Sequence, residues 1–129
     1  MQEGGRCTAL VTGASAGLGA EFARQLAESG YDLVLTARRR ERLDALAEEV
    51  RDQHGVSALV VTADLAEPTA VGEILAALAE ADIDVHVLIN NAGYGMPGRY
   101  LEAGWEEHAD FIQVMVVAVA QMTHGLLPG

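Results

Sequence analysis

The chain has 129 residues, a formal net charge of -11 and a single cysteine, and these figures exclude several classes of protein. Its length suits one domain with one hydrophobic core, residues 1–129, and leaves no room for a separate substrate domain. The excess of 19 acidic over 8 basic residues repels phosphates and anionic lipid surfaces, so we expect neither nucleic acid nor a membrane as a partner.

The beginning of the chain has no long apolar segment of the kind found in signal peptides and membrane spans. We therefore expect a cytoplasmic protein. The lone Cys7 can form neither an internal disulfide nor a multi-cysteine zinc site. It lies in an apolar run, where we expect it to pack in the core.

The first elements in chain order are a strand, a glycine-rich turn and a helix. Residues 7–12 form a short apolar run, and Leu18, Phe22 and Leu26 then recur at the four-residue spacing of a helix. Gly30 stands where a left-handed residue ends a helix, and DLVLTA at 32–37 has the continuous apolar character of a buried strand.

The same alternation continues to the end of the chain. The pattern predicts helices at 40–54 and 68–81, strands at 56–63 and 85–90, and a long helix at 105–127. The middle of that long helix is apolar nearly all round, so we expect it to be buried on more than one side.

Alternating strands and helices of these lengths predict an α/β fold with a doubly wound parallel sheet and helices on both faces. Such sheets bind ligands at the carboxyl ends of their strands. The turn TGASAGLG, between the first strand and the first helix, contributes glycines that let the backbone approach a phosphate. We therefore predict a nucleotide site there, although a glycine-rich turn can also be purely structural.

Four motifs resemble the short-chain dehydrogenase/reductase family. They are G-x-x-x-G-x-G at Gly13, Asp64-Leu65 after the third strand, Asn90-Asn91-Ala92-Gly93 after the fourth, and LLPG at 126–129. Together they cover the whole chain in register. The resemblance implies a partial Rossmann-like fold of about four strands in the order 3-2-1-4.

The family also implies which residues bind the dinucleotide. Asp64 would hydrogen-bond the adenine amino group, and the segment from Asn91 to Gly93 would line the adenosine ribose. The full set that we predict is Gly13, Ser15, Ala16, Gly17, Leu18, Gly19, Arg38, Arg39, Asp64, Leu65, Asn91, Ala92 and Gly93.

The end of the second strand favours NADP(H) over NAD(H). Relatives that bind NAD place an acidic residue there, whereas this chain has Ala37 followed by Arg38 and Arg39. A guanidinium group matches the geometry of a phosphate, so Arg38 is the first candidate for the 2′-phosphate and Arg39 the second. The alternative is a solvated helix start, with Arg42 and Arg51 continuing that face.

Catalytic residues of the family are missing from the chain. Its members use a Tyr whose pKa is lowered by a Lys three or four positions on, and this sequence contains no Lys. Tyr94 and Tyr100 have no such partner, and Met115 stands where the family has a supporting Asn. The four histidines are scattered, so we predict no metal site and assign no catalytic residue.

Two functions remain open. The chain is either the NADP(H)-binding half of a longer oxidoreductase, which would act on a small carbonyl or alcohol, or a non-catalytic module that binds NADP(H) or self-associates. An extended-type relative is disfavoured, because those proteins carry a G-x-x-G-x-x-G turn. The fourth strand would form an open sheet edge, so we expect a homo-oligomer.

Overall fold

A computed structural model of the chain describes residues 7–15, 17–91, 102 and 104–126. Strands and helices alternate along the chain as predicted. The strands are β1 (Thr8–Thr12), β2 (Asp32–Ala37), β3 (Ala58–Thr62) and β4 (Val87–Ile89). The helices are α1 (Gly17–Glu28), α2 (Arg40–His54), α3 (Ala70–Glu80), α4 (Trp105–Ile112) and α5 (Ala118–Leu126), the last two joined by a π-helical segment, Gln113–Val117.

The four strands form one parallel sheet in the order β3-β2-β1-β4, which confirms the predicted order. β1 is buried along its whole length and β2 along its four middle residues. This pattern arises because helices cover both faces of the central strands, so these residues are shielded from water whichever face they point to.

Two hydrophobic clusters fill the space between the sheet and its helices. On one face, Leu35 and Val11 pack with Leu43 and Val50 of α2. On the other face, Leu10 and Val34 pack with Ile74 of α3 and Met122 of α5. The sheet is therefore the middle layer of a three-layer sandwich.

The buried face of α1 differs from the predicted stripe. Leu18 is 64% exposed, while small residues form the face that packs on the sheet. These residues are Gly19, Ala20, Ala23 and Ala27. Their short side chains bring the helix axis close to the strands, and the larger Phe22 and Leu26 lie half-buried at the sides.

β4 is shorter than the predicted strand at 85–90, because Val87–Ile89 alone pairs among the described residues, and it pairs with β1. Contacts at both ends fix it. Before the strand, His86 Nδ1 accepts a hydrogen bond from the Thr8 N–H (3.1 Å), and the His86 N–H donates to the Thr8 carbonyl (2.8 Å). After it, the Asn91 N–H donates to Thr12 Oγ1 (3.0 Å).

Other predicted boundaries change slightly. β3 and α3 are shorter at both ends than the patterns at 56–63 and 68–81 suggested. Pro68 lies before α3, which begins at Ala70 after Thr69.

Cys7 is half-buried rather than a core residue, because it precedes β1 at the edge of the packed region. Gly30 and Gly55 have φ values of 92° and 67°, as expected for residues that end helices.

The long helix is continuous from Trp105 to Leu126 but is not buried on several sides. Val114, Ala118 and Met122 pack against the second cluster, whereas Val116 and Met115 are 59% and 40% exposed. Among the described residues nothing covers the outer face. By length and mean hydropathy (1.2) this helix meets the minimum for crossing a membrane, a test that core helices also pass. The cytoplasmic location stays a prediction.

Candidate nucleotide-binding cleft

A cleft of about 580 Å³ opens at the carboxyl ends of the strands, where parallel α/β sheets bind ligands. The glycine turn, the end of β2, the segment after β3 and helix α4 form its walls. Its lining residues are Gly13, Ser15, Thr36, Ala37, Arg38, Arg39, Arg42, Ala63, Asp64, Leu65, Ala66, Asn91, Asp110 and Val114.

The glycine turn requires glycine for two different reasons. Gly13 and Gly17 have φ values of 65° and 60°, in the left-handed region that favours glycine. Gly19 has no room for a side chain, because a Cβ there would lie 2.2 Å from the Gly13 carbonyl oxygen and 2.5 Å from Asn91 Nδ2. The N-terminus of α1 therefore approaches the turn closely, with no acidic residue in its first turn. Its free N–H groups suit an anion such as a pyrophosphate.

Hydrogen bonds from two neighbouring strands hold this turn in place. The Ala14 N–H donates to the Thr36 carbonyl of β2 (3.2 Å). After β4, Asn91 Nδ2 donates to the Gly13 carbonyl (3.5 Å), a long contact that adds to the bond between the Asn91 N–H and Thr12. Asn91 thus ties the end of β4 to the turn and also borders the cleft.

The arginine cluster divides into two groups. Arg38, Arg39 and Arg42 border the cleft. Arg40 instead donates to Thr62 Oγ1 (3.3 Å) and lies 3.6 Å from an Asp44 carboxylate oxygen. Sequence reasoning did not assign Arg42 to the site and named it only in the alternative interpretation, a solvated helix face. The available signal was its position, one helical turn beyond Arg38 and Arg39.

Asp64 and Leu65 form the wall that follows β3. Asp64 is half-buried and accepts a hydrogen bond from the Ala66 N–H through Oδ1 (3.0 Å), which closes a tight turn. Leu65 is 8% exposed and belongs to the second core cluster. This pair borders the same cleft as the arginines and offers one polar and one apolar side chain, which suit a flat base.

Helix α4 and the segment after it contribute Asp110 and Val114 to the same cleft. Neither residue was predicted. Both come from the long helix far along the chain, and no local motif marks them. Only the packing of that helix against the second cluster brings them to the nucleotide side of the sheet.

The remaining predicted residues differ in position. Ser15 lines the cleft, whereas Gly17, Leu18 and Gly19 belong to the start of α1 behind it. Ala16, Ala92 and Gly93 lie outside the described residues, as do Tyr94, Tyr100 and the final LLPG. Met115 is part of the π-helical segment and is 40% exposed. Within the described ranges no group of His, Cys, Asp and Glu is placed to hold a metal ion.

Comparison with known proteins agrees with this architecture. The family model for short chain dehydrogenase matches residues 7–129. A very-long-chain 3-oxoacyl-CoA reductase from Laccaria bicolor is 37% identical over 125 residues, which cover 94% of this chain and 36% of the relative. The chain therefore spans little more than a third of the length of that relative.

Solved structures give the same result. A short-chain dehydrogenase from Sphingobium yanoikuyae, in complex with NADPH, is 38% identical, with a TM-score of 0.88 over 95% of this chain and 47% of that one. The L-sorbose reductase from Gluconobacter frateurii, complexed with NADPH and L-sorbose, is 31% identical, with a TM-score of 0.90 over 96% of this chain and 47% of that one. With the family match across residues 7–129, these likenesses establish that the chain belongs to the short-chain dehydrogenase family of oxidoreductases.

Proposed function

We propose that this chain binds NADP(H) in the cleft at the end of the sheet and is the nucleotide-binding part of an oxidoreductase. The observation that carries the proposal is the position of Arg38, Arg39 and Arg42 on the same cleft as the glycine turn. Phosphate groups at both places would meet complementary charge or N–H donors.

The charge at the end of β2 supports a preference for the phosphorylated cofactor. Ala37 borders the cleft where an acidic residue would accept the two ribose hydroxyls of NAD and repel a 2′-phosphate. Arg38 and Arg39 follow it at once. The proteins from Sphingobium yanoikuyae and Gluconobacter frateurii, both solved with NADPH, further support this choice.

The rest of the cleft suits the other parts of the dinucleotide. The pyrophosphate would meet the N-terminus of α1, the adenine would lie against Asp64 and Leu65, and Asn91 would adjoin the adenosine ribose. When bound, the nicotinamide supplies or accepts a hydride. This chain's own residues bind and orient the cofactor, and they offer no lysine to an acid/base tyrosine.

The whole protein's reaction is part of the proposal, because the chain spans about 36 to 40% of the length of its curated relatives. We propose hydride transfer to or from a small carbonyl or alcohol. The relatives are named for compounds as different as a 3-oxoacyl-CoA and L-sorbose, and the nucleotide cleft does not choose between them.

A second candidate is a module that binds NADP(H) without turnover, and the absence of Lys from the sequence favours it for this chain alone. The two candidates share the same cleft. They differ in whether the gene continues past Gly129 with a Tyr and a Lys three or four positions on, which sequencing beyond that codon tests. For the purified 129-residue chain supplied with ketones or aldehydes, the two candidates predict the same result. We expect saturable binding without turnover.

Titration with NADPH and NADH, followed by nicotinamide fluorescence, tests cofactor binding and preference. Replacing Arg38 with Asp should weaken NADPH binding roughly 10- to 100-fold, the usual value of a hydrogen bond to a charged group, and should change NADH binding much less. Equal losses for the two cofactors would refute the role of Arg38.

A matched pair of substitutions tests the contribution of Arg42. Arg42→Ala should weaken NADPH binding by roughly three- to tenfold, because it removes one cationic partner of the 2′-phosphate. Arg40→Ala removes an equal charge from the same helix turn, but Arg40 points to Thr62 and Asp44. We expect little change for Arg40→Ala, and equal effects of the two variants would indicate a diffuse field rather than direct contact.

A further inference from the structure

The two edges of the sheet differ in what lies along them. In the order β3-β2-β1-β4, β3 and β4 each pair on one side only within the described part of the chain. Two arginines of α2 stand beside β3. Arg51 Nη2 donates a hydrogen bond to the Ala58 carbonyl, and Arg40 donates to Thr62 Oγ1 (3.3 Å). β4, in contrast, is fixed by hydrogen bonds to β1, on its inner side.

The Ala58 carbonyl points away from the sheet. In a parallel ladder, successive residues of a strand direct their N–H and C=O groups to opposite sides. The Leu33 N–H donates to the Ser57 carbonyl (2.9 Å), so Ser57 faces β2 and Ala58 faces the other way. The same alternation directs the backbone groups of Val60 and Thr62 outward. The guanidinium group at Ala58 therefore occupies the outer edge of β3.

The two arginines are spaced to span this strand. They are 11 residues apart, close to three helical turns, so both lie on one face of α2 and about 16 Å apart along its axis. β3 extends over about 13 Å between Ala58 and Thr62. The contacts show that α2 runs antiparallel to β3, so Arg51 reaches the beginning of the strand and Arg40 its end.

The composition of β3 suits it to pairing with another strand. Residues 56–63, VSALVVTA, contain no charged residue, no glycine and no proline. An uncharged edge strand rich in β-branched residues is a template for a further strand. In an antiparallel, self-complementary pair centred on Val60, Ala58 of one copy would lie opposite Thr62 of the other. The outer edge of β3 therefore has the pattern of a self-association site.

We infer that Arg40 and Arg51 close the outer edge of β3 to a second copy of the chain, which leaves association to other surfaces. Arg51 occupies a carbonyl that a neighbouring strand would need. In the antiparallel pair, Arg51 of each copy would also meet Arg40 of the other, and like charges opposite each other destabilise strand pairing. Asp44, 3.6 Å from Arg40, offsets part of that charge, so the occupied carbonyl is the larger effect.

This role is separate from nucleotide binding. The arginines that border the cleft are Arg38, Arg39 and Arg42, whereas Arg40 and Arg51 contact β3. The inference therefore stands or falls independently of the proposed function.

The double variant Arg40→Ala with Arg51→Ala tests the inference. It removes two positive charges from a chain of net charge -11, so general repulsion between copies increases. We nevertheless expect its mean mass, measured by light scattering at micromolar concentration, to be roughly twofold or more above that of the parent chain, because an added interface joins copies into larger assemblies. Amide hydrogen exchange in β3 should slow as the concentration rises, since the outward N–H groups become paired.

Two further variants control this result. Arg24→Ala removes an arginine from α1 whose guanidinium contacts Glu49 (2.8 Å) rather than β3, and it should leave the mass unchanged. Val60→Pro, added to the double variant, removes an N–H from the outer edge and leaves the hydrogen bonds to β2 in place. It should return the mass to that of the parent chain.

An unchanged mass of the double variant would overturn the inference. So would an equal increase for Arg24→Ala, or an increase without slower exchange in β3. Because unfolded chains also aggregate, urea unfolding is measured for each variant. If the double variant lacks a cooperative transition, Arg51→Ala alone decides the question: it should show a smaller increase in mass with the same slowing of exchange, and no increase would contradict the role of the arginines.

Discussion

The first 55 residues and the last third of the chain reach different degrees of burial. β1 and β2 are joined through five register pairs, and β1 has no exposed position. β4, in contrast, pairs through three residues on one side, and the helix that follows leaves Val116 59% exposed. Both regions are apolar in sequence, so hydrophobicity alone does not explain the difference.

The two regions differ in how many faces of their apolar elements are covered by other elements. In the first region each apolar strand faces helices on both sides, α1 and α2 on one face and α3 and α5 on the other, and burial of that surface stabilises it. In the second region the helix covers the sheet with one face only. The glycine turn and the arginines of the cleft belong to the first region, so they stand on the better packed part of the chain, as a binding site requires.

The largest expected effect lies at the junction of the two regions. Gly19→Ala would place a Cβ 2.2 Å from the Gly13 carbonyl oxygen and 2.5 Å from Asn91 Nδ2, so the turn or the end of β4 must move. We expect a loss of about 3 kcal/mol or more in the free energy of unfolding, measured with urea, and loss of NADPH binding.

Gly72→Ala is the control for this substitution, because a Cβ at Gly72, in the first turn of α3, would meet nothing within 4 Å. It should leave binding unchanged and stabilise the chain by about 0.5 to 1 kcal/mol through helix propensity. If Gly19→Ala changed NADPH binding and the free energy of unfolding no more than Gly72→Ala does, the described close approach of α1 to the turn would be contradicted.

A smaller effect is expected where β4 begins. His86→Ala removes the acceptor of the Thr8 N–H, and Thr8 is only 7% exposed. The free energy of unfolding should fall by about 1 to 2 kcal/mol, because a largely buried donor loses its partner. His124→Ala, at an exposed site near the end of α5, should change it by less than about 0.5 kcal/mol. Equal effects would mean that His86 does not fix the edge strand.

The smallest effect on stability, but a clear one on association, is expected on the outer face of the long helix. We expect the chain to self-associate through this face and the open edge of β4. The edge offers backbone N–H and C=O groups that can pair with another strand, and the helix face offers exposed apolar side chains that can pack together. Light scattering at micromolar concentration should give a mass above the monomer. A monomeric parent chain would contradict this expectation.

Val116→Gln should shift that equilibrium toward the monomer while changing the free energy of unfolding by less than about 0.5 kcal/mol. Ala76→Gln adds the same amide to an exposed position of α3, away from the apolar face, and should leave association unchanged. Equal shifts in both variants would locate the contact elsewhere.

Much of the fold was predictable because patterns among neighbouring residues determine its strands and helices. The alternation of apolar strands with helices, and the glycines that end helices at Gly30 and Gly55, required no knowledge of the tertiary structure. The predicted face of α1 was wrong for a physical reason: Leu18 is larger and more apolar than Ala20 or Ala23, but close packing on the sheet selects the small residues. The burial of the long helix was also overestimated, since its pattern cannot indicate which partners are present.

The candidate site divides in the same way. The sequence alone determined the glycine turn, the arginine-rich start of α2 and the membership in an oxidoreductase family, because these are set by neighbouring residues in fixed spacing. Only the tertiary structure separated Arg42 from Arg40 and set Asp110 and Val114, which border the cleft, apart from the rest of the long helix. Those distinctions depend on which residues of other strands and helices lie within hydrogen-bond reach, and such contacts join positions that are far apart along the chain.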